Sequence, residues 1–215
     1  MYVKDIMSTD VTTIDRDASV SKAIDRMSSR SFHRLPVVDE EGKLIGLLTE
    51  SVIASNTPNS ASSLSVYELN YLLNKLRVED IMVREVYTIS PEDLLEKAAV
   101  ELREHNIGCL PVTEEGKLLG IITQNDIFDA FVDLLGYHQE GVRFVVNIRE
   151  DRTGILEDIA RCFKEEDVSI SNLAVYNNSR GIEVVIVAKG KDSVRCREKL
   201  ENSGYDVTNV TVLGS

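Results

Sequence analysis

Positive charge is scarce in this sequence. Against 36 aspartates and glutamates stand only 24 lysines and arginines, a net of −12. Binding a phosphate backbone needs a basic footprint, so nucleic acid is excluded as the main partner, while a local basic pocket for a small phosphate ligand stays open. Cysteine is scarce as well: Cys109, Cys162 and Cys196 are odd in number and widely spaced, and no C-x-x-C occurs. His33, His105 and His138 complete no metal-ligand spacing, so no metal is expected. Buried thiols in a reducing cytoplasm follow. No apolar run could span a bilayer, and no charged segment followed by an apolar one opens the chain, so a cytoplasmic protein with no membrane partner is expected. Nucleotide-hydrolysis loops, His-Glu-x-x-His and Gly-x-Ser-x-Gly are all missing. The many acidic residues fall in turns and on helix faces as solvated surface, and an enzyme is not expected.

What is present is a duplication. Leu35 to Thr49 aligns with Leu110 to Thr123, with one gap opposite Glu41, and Leu, Pro, Val, Glu, Gly, Lys, Leu, Gly and Thr coincide. Pro opens an apolar run where its missing N–H costs no central ladder bond. Acidic residues and a Gly then turn the chain into a second apolar run, itself broken by Gly46 or Gly120, where other backbone can come close. This predicts a β-hairpin. It ends in Thr123-Gln124-Asn125-Asp126, ahead of the helical pattern Ile127, Phe128, Phe131, Val132, Leu135. Thr and Asp at such a junction cap a helix, and they face its free N–H groups, which can hold an anion.

The duplication reaches upstream. Asp5-Ile6-Met7 recurs as Asp80-Ile81-Met82 and Thr13-Ile14 as Thr88-Ile89, at an offset of 75. Helix-period sets follow: Val20, Ala23, Ile24, Met27 in one copy and Leu95, Ala98, Ala99, Leu102 in the other, the latter led by Ser90-Pro91-Glu92-Asp93 as cap and first turn. Each copy reads strand, helix, strand, turn, strand, helix, and two copies should pack about a pseudo-twofold axis. Between them a Ser-, Asn- and Pro-rich loop from Ser55 to Ser65 precedes an amphipathic helix on Val66, Leu69, Leu72, Leu73 and Leu76, a packing helix or a partner surface.

After Gly136 the pattern changes. Val142, Phe144, Val146 and Ile148 alternate along a strand; Asp151-Arg152-Thr153-Gly154 turns; Ile155, Leu156, Ile159 and Phe163 make a helix stripe. Strands over 168–175 and 182–188 flank a turn at Asn177 to Gly181; a helix over 193–202 and a strand over 207–213 complete βαββαβ, the ferredoxin-like order. The fold class is α+β, with divisions at 1–58, 59–77, 78–137 and 138–215.

The repeated Leu-Pro-Val…Gly-Lys-Leu-(Leu/Ile)-Gly-(Leu/Ile)-(Leu/Ile)-Thr segment resembles a tandem pair of cystathionine-β-synthase (CBS) domains, a Bateman module. Asp-Arg-Thr-Gly-Ile-Leu after the first C-terminal strand resembles an ACT domain. In order and length the chain is similar to the B-type acetoin-utilisation proteins. The CBS resemblance implies an adenosyl nucleotide (AMP, ATP or S-adenosylmethionine) between the repeats, with Thr123 at its phosphate and Asp126 at its ribose hydroxyls. Thr49 is kept in the first copy, but Val52 stands where the Asp should be, so that half-site should be weak or empty. His33 and Arg34 suit a phosphate, and Thr88 and Ile89 would contact the adenine. Against these stand a plain helix cap for Thr123 and Asp126, a surface ion pair with Glu40 or Glu41 for Arg34, and an exposed polar side chain for His33. The ACT resemblance implies an amino-acid effector at Asp151, Gly154 and Asn172, with dimerisation alone as the rival. A regulatory, non-catalytic protein, a homodimer acting on a partner protein, is the leading expectation. A ligand-free scaffold and, more remotely, an enzyme of acetoin metabolism are the alternatives.

Overall fold

A computed structural model of the chain describes residues 1–30, 32–57, 65–178, 181–189 and 193–214. Most of the expected 55–65 loop and the tip of the 177–181 turn lie outside the described residues. The chain divides into two compact units, Met1–Ile127 and Phe128–Ser215.

In the first unit each repeat builds a hairpin backed by helices. The first contributes β1 (Ile14–Asp15), α1 (Val20–Arg30), β2 (Arg34–Val38), β3 (Leu44–Thr49) and α2 (Glu50–Asn56). The linker helix α3 (Val66–Lys75) and the short α4 (Val78–Ile81) lead to α5 (Leu95–Glu104), β4 (Cys109–Glu114), β5 (Lys117–Thr123) and α6 (Gln124–Leu134). β2 and β3 pair antiparallel with Leu35 opposite Leu48, and β4 and β5 repeat the register with Leu110 opposite Ile122. Both hairpins slip by one residue at the same place, after Val37 and after Val112. The first strand of the second repeat shrinks to a single parallel bridge, Ile89 to Val112, where β1 has two residues beside β2.

The repeats exchange their leading segments. Val3, in a 3-10 turn over Val3–Asp5, is buried with Ala98, Leu102, Leu110 and Ile122 of the second repeat. Its counterpart Val78, with Met82, is buried among Ile14, Val20, Leu35 and Leu48 of the first. Backbone bonds follow suit: Ser8 and Ile121 bond each other twice at 3.0 Å, and Leu47 and Val83 do so at 2.9 and 3.0 Å. At the two turns Leu44 N–H donates to Gly116 O and Leu118 N–H to Gly42 O. These reciprocal contacts are the expected pseudo-twofold relation. The linker helix α3 packs Leu73, and the residue after it Leu76, on the first core and leaves Tyr67, Tyr71 and Leu72 exposed.

The exchange also corrects one expectation. Helix α5 starts at Leu95, after Ser90–Asp93, which forms a turn closed by Ser90 N–H to the Asp93 carboxylate. The carbonyls of Pro91 and Asp93 accept from Lys4 and Val3 N–H, so this stretch serves as a ledge for the N-terminal segment and not as a first helical turn.

The second unit follows the predicted order with β6 (Gly141–Ile148), α7 (Ile155–Glu165), β7 (Ser169–Asn178), β8 (Gly181–Lys189), α8 (Ser193–Asn202) and β9 (Asp206–Leu213). The sheet runs β7-β8-β6-β9, every neighbour antiparallel. One face is the core: Phe144, Val146 and Ile186 meet Ile159 and Phe163 of α7 and Leu200 of α8. The alternation along β6 and the stripe along α7 dictate this, because each places its apolar set on one side. Phe144 and Phe163 meet edge to face at 5.2 Å.

Candidate functional site

Two cavities open between the repeats of the first unit. One, of about 460 Å³, takes Thr123, Gln124, Asn125 and Asp126 from the β5–α6 junction, Phe32, His33 and Arg34 from the entry to β2, and the segment Ser8 to Thr12. The other, of about 510 Å³, is its pseudo-twofold twin: Thr49 to Val52 from the β3–α2 junction, Ile107 to Cys109, and Val83, Glu85, Val86 and Tyr87. Both fall in the size range of small-molecule sites.

Local sequence explains the polar end of the first cavity. Thr123 and Asp126 form a reciprocal cap on α6. Thr123 N–H and Oγ1–H donate to Asp126 Oδ2 at 2.6 and 2.7 Å, and Asp126 N–H returns a bond to Thr123 Oγ1 at 3.4 Å. Capping and cavity lining are therefore the same residues in the same conformation. Both protein donors fall on Oδ2, which leaves Oδ1 to accept from something else. In the twin, Thr49 caps α2 through Val52 N–H at 3.2 Å, and Val52, whose side chain can accept nothing, occupies the place of Asp126.

Arg34 lies between the two cavities and lines both. Its guanidinium rests on the second repeat at Gly108, where an added Cβ would meet the two terminal nitrogens at 2.7 and 2.8 Å. Burial pushes the Cys109 thiol above its ordinary value, opposed by the charge and hydrogen bond of Arg34. Neither Glu40 nor Glu41 pairs with Arg34; Glu41 pairs with Lys43. His33 also lines both cavities, and its Nδ1 bonds Glu50 at 2.9 Å.

Thr123, Asp126, His33 and Arg34 thus meet in one cavity, and Thr49 joins His33 and Arg34 in the other. Thr88 and Ile89 are not brought to either. Thr88 borders a separate small hollow beside Arg84 and Thr113, and Ile89 is 4% exposed in the second repeat's core. The stretch that reaches the Asp126 cavity is Ser8–Thr12, from the opposite repeat. Exchange of the leading segments puts it there, and the signal available was the match of Ser8–Thr12 to Val83–Tyr87 at the same offset of 75.

In the second unit, Asp151 and Gly154 border a hollow of about 340 Å³ with Leu156, Val175 and Asn177. Asn172 is not part of it. The strand slips between Ile170 and Asn172, Ser171 being the extra residue, so Asn172 pairs with Val187 and faces away from the core that Ile170 joins. Its Nδ2–H donates to Leu134 O at 2.7 Å while its Oδ1 is buried without a partner. Asn177 is the strand amide on the hollow's side.

Among the described residues no group of three or more His, Cys, Asp or Glu could hold a metal, and no helix is long and apolar enough to cross a membrane. All three thiols are buried.

The CBS domain profile matches residues 3–56 and 78–133, together more than half of the chain. The chain belongs to the CBS-domain family. Its pair is 32% identical over 142 residues to a CBS domain-containing protein of Dictyostelium discoideum, covering 63% of this chain and 94% of that one. It is also 32% identical over 126 residues to homoserine O-acetyltransferase of Methanococcus vannielii, 58% of this chain but only 24% of that enzyme's length. Among solved structures, a putative acetoin utilization protein, AcuB, of Vibrio cholerae superposes with a TM-score of 0.53 at 26% identity, over 63% of this chain and 93% of its own. The CBS domain pair of protein MJ0100 in complex with 5′-methylthioadenosine and S-adenosyl-L-methionine superposes with a TM-score of 0.51 at 29% identity, over 62% and 97%.

Proposed function

We propose that the CBS pair is a non-catalytic sensor that holds an adenosyl nucleotide of the AMP, ATP or S-adenosylmethionine type in the cavity built by Thr123 and Asp126. One observation carries this reading: Asp126, Thr123, Arg34 and His33 converge on a single cavity of about 460 Å³. Asp126 Oδ1 accepts from the ribose hydroxyls, Val11, Phe32 and Ile121 offer apolar walls to the base, and Arg34 with the first N–H groups of α6 meets the anionic end. The adenosyl ligands in the MJ0100 pair support the ligand class. A ligand that prefers one disposition of the repeats shifts that equilibrium by its differential affinity, which is what a regulator requires.

The finer reading adds an ACT-type second unit. Its βαββαβ order supports that, and the hollow at Asp151, Gly154 and Asn177 suits an amino-acid effector. The strand β7 is a sheet edge with Leu173 and Val175 exposed, which fits pairing with a second copy in a homodimer. The likeness to the Vibrio cholerae AcuB protein supports a regulated partner in acetoin utilisation.

The test is thermal unfolding of the full chain with AMP, ATP and S-adenosylmethionine. Ligand at a hundred times its Kd adds about 2.7 kcal/mol of stability, and the shift should vanish in Asp126→Ala. No shift with any adenosyl compound sinks the reading.

A further inference from the structure

We infer that the CBS pair accommodates one anionic group at a time, because its two cavities share a single cation, Arg34. This rests on the nucleotide reading above and adds a rule of mutual exclusion to it. Among the described residues lining the two cavities, Arg34 is the one arginine or lysine, and it lines both. Its counterpart in the second repeat is Cys109, so the duplication has left one cation where a symmetric pair would have two. Among the described residues no carboxylate lies within ion-pair distance of it, so the charge is unspent. The other basic side chain common to both cavities, His33, is taken by Glu50.

The guanidinium lies over Gly108 of the second repeat. It occupies the space that a Cβ on Gly108 would need, seated against the backbone between the two openings. The guanidinium carries a single positive charge, which cannot offset two phosphate groups at once. A second phosphate would face Asp126 and Asp10, the latter paired with Arg30 at 3.8 Å, on one side or Glu50 and Glu85 on the other, with no second lining arginine or lysine to receive it. A phosphate in either cavity therefore weakens the other cavity for anions, and by linkage the effect is reciprocal. A nucleoside without phosphate is exempt from this rule.

The experiment is isothermal titration of the full chain with AMP and with 5′-methylthioadenosine, which carries the same nucleoside and no phosphate. The expected result is one AMP per chain, with the preference for AMP over methylthioadenosine falling at least tenfold in Arg34→Gln. Two AMP per chain at equal affinity overturns the inference, as does an unchanged preference in Arg34→Gln. Val52→Asp, which supplies the second cavity with the missing carboxylate, separates exclusion from mere weakness of that cavity. AMP stays at one per chain in this variant if Arg34 is shared, and two AMP per chain overturns the inference. Binding of methylthioadenosine without AMP overturns the inference and leaves the nucleoside-sensing reading intact; binding of neither overturns both.

Discussion

Met7 packs on Gly120 across the boundary between the repeats: a Cβ on that glycine would stand 2.7 Å from the Met7 Sδ and 2.9 Å from Ser8 O. Gly46 meets Met82 and Val83 in the same way, at 2.6 and 3.0 Å. The thioether can swing aside, but the Ser8 carbonyl belongs to a backbone pair with Ile121 and cannot. Gly120→Ala should therefore cost about 1–3 kcal/mol, the usual range for overpacking a tight contact. Urea denaturation of the full chain measures it, and a midpoint equal to wild type would show that the exchanged segment has room to move.

Asp126→Ala should act twice. Without ligand it removes the partner of Thr123 and costs about 0.5–2 kcal/mol, the range for a lost helix cap. With ligand it should also abolish the thermal shift. Asp126→Asn keeps an acceptor for the Thr123 donors and should recover most of the first loss. It should recover little of the second, because a neutral amide oxygen accepts from a ribose more weakly than a carboxylate. Melting curves of both variants, with and without AMP, separate the two effects; equal recovery of both would count against a role beyond capping.

Arg152 and Asp158 pair at 2.6 Å, and the hydrogen bond to Arg152 holds the Asp158 carboxyl below its ordinary value of 3.8. Lys199 does the same for Glu165, whose ordinary value is 4.5. A depressed carboxylate pKa contributes stability that is complete above the unfolded value and fades as pH falls through the folded one. The second unit should thus lose stability on the acid side, below these ordinary values. Arg152 and Glu165 are exposed and Asp158 and Lys199 only half-buried, so the effect should be modest and should shrink in high salt. Arg152→Met should flatten the acid limb of a denaturation-midpoint profile. An identical profile would mean that the pair carries no pH dependence.

Phe163 has no exposed surface and is packed against Phe144 and Ile159. Phe163→Ala should cost about 3–5 kcal/mol, the range for emptying a buried aromatic site. Hydrogen exchange should localise the loss to β6, α7 and β8. A loss spread evenly over both units would mean that the chain unfolds as one body.

Much of this was legible from residue order because it depends on neighbours along the chain. The hairpins, their acidic turns, the apolar faces of α1, α5 and α7 and the Thr123–Asp126 cap all follow from periodicity and from side chains three or four residues apart. The doubled glycines were readable as points of close approach, though not what approaches them. Two other features were hidden by long-range effects. The expected first turn at Ser90–Asp93 failed because its carbonyls bond residues nearly ninety positions earlier in the chain. Asn172 was misplaced because a single extra residue, Ser171, reverses the alternation of β7, and nothing in the spacing marks the slip.

By itself the sequence determined that there are two copies of one unit, which residues of each element turn inward, and which side chains stand at each helix start. Periodicity carries that information because a helix or strand sorts its own residues onto faces. Only the tertiary structure decided that each copy lends its leading segment to the other, that Ser8–Thr12 and not Thr88 and Ile89 borders the Asp126 cavity, and that Arg34 reaches Gly108 to stand between two openings. A pattern along the chain says which face an element buries; which partner covers it is settled by packing complementarity between segments far apart in sequence.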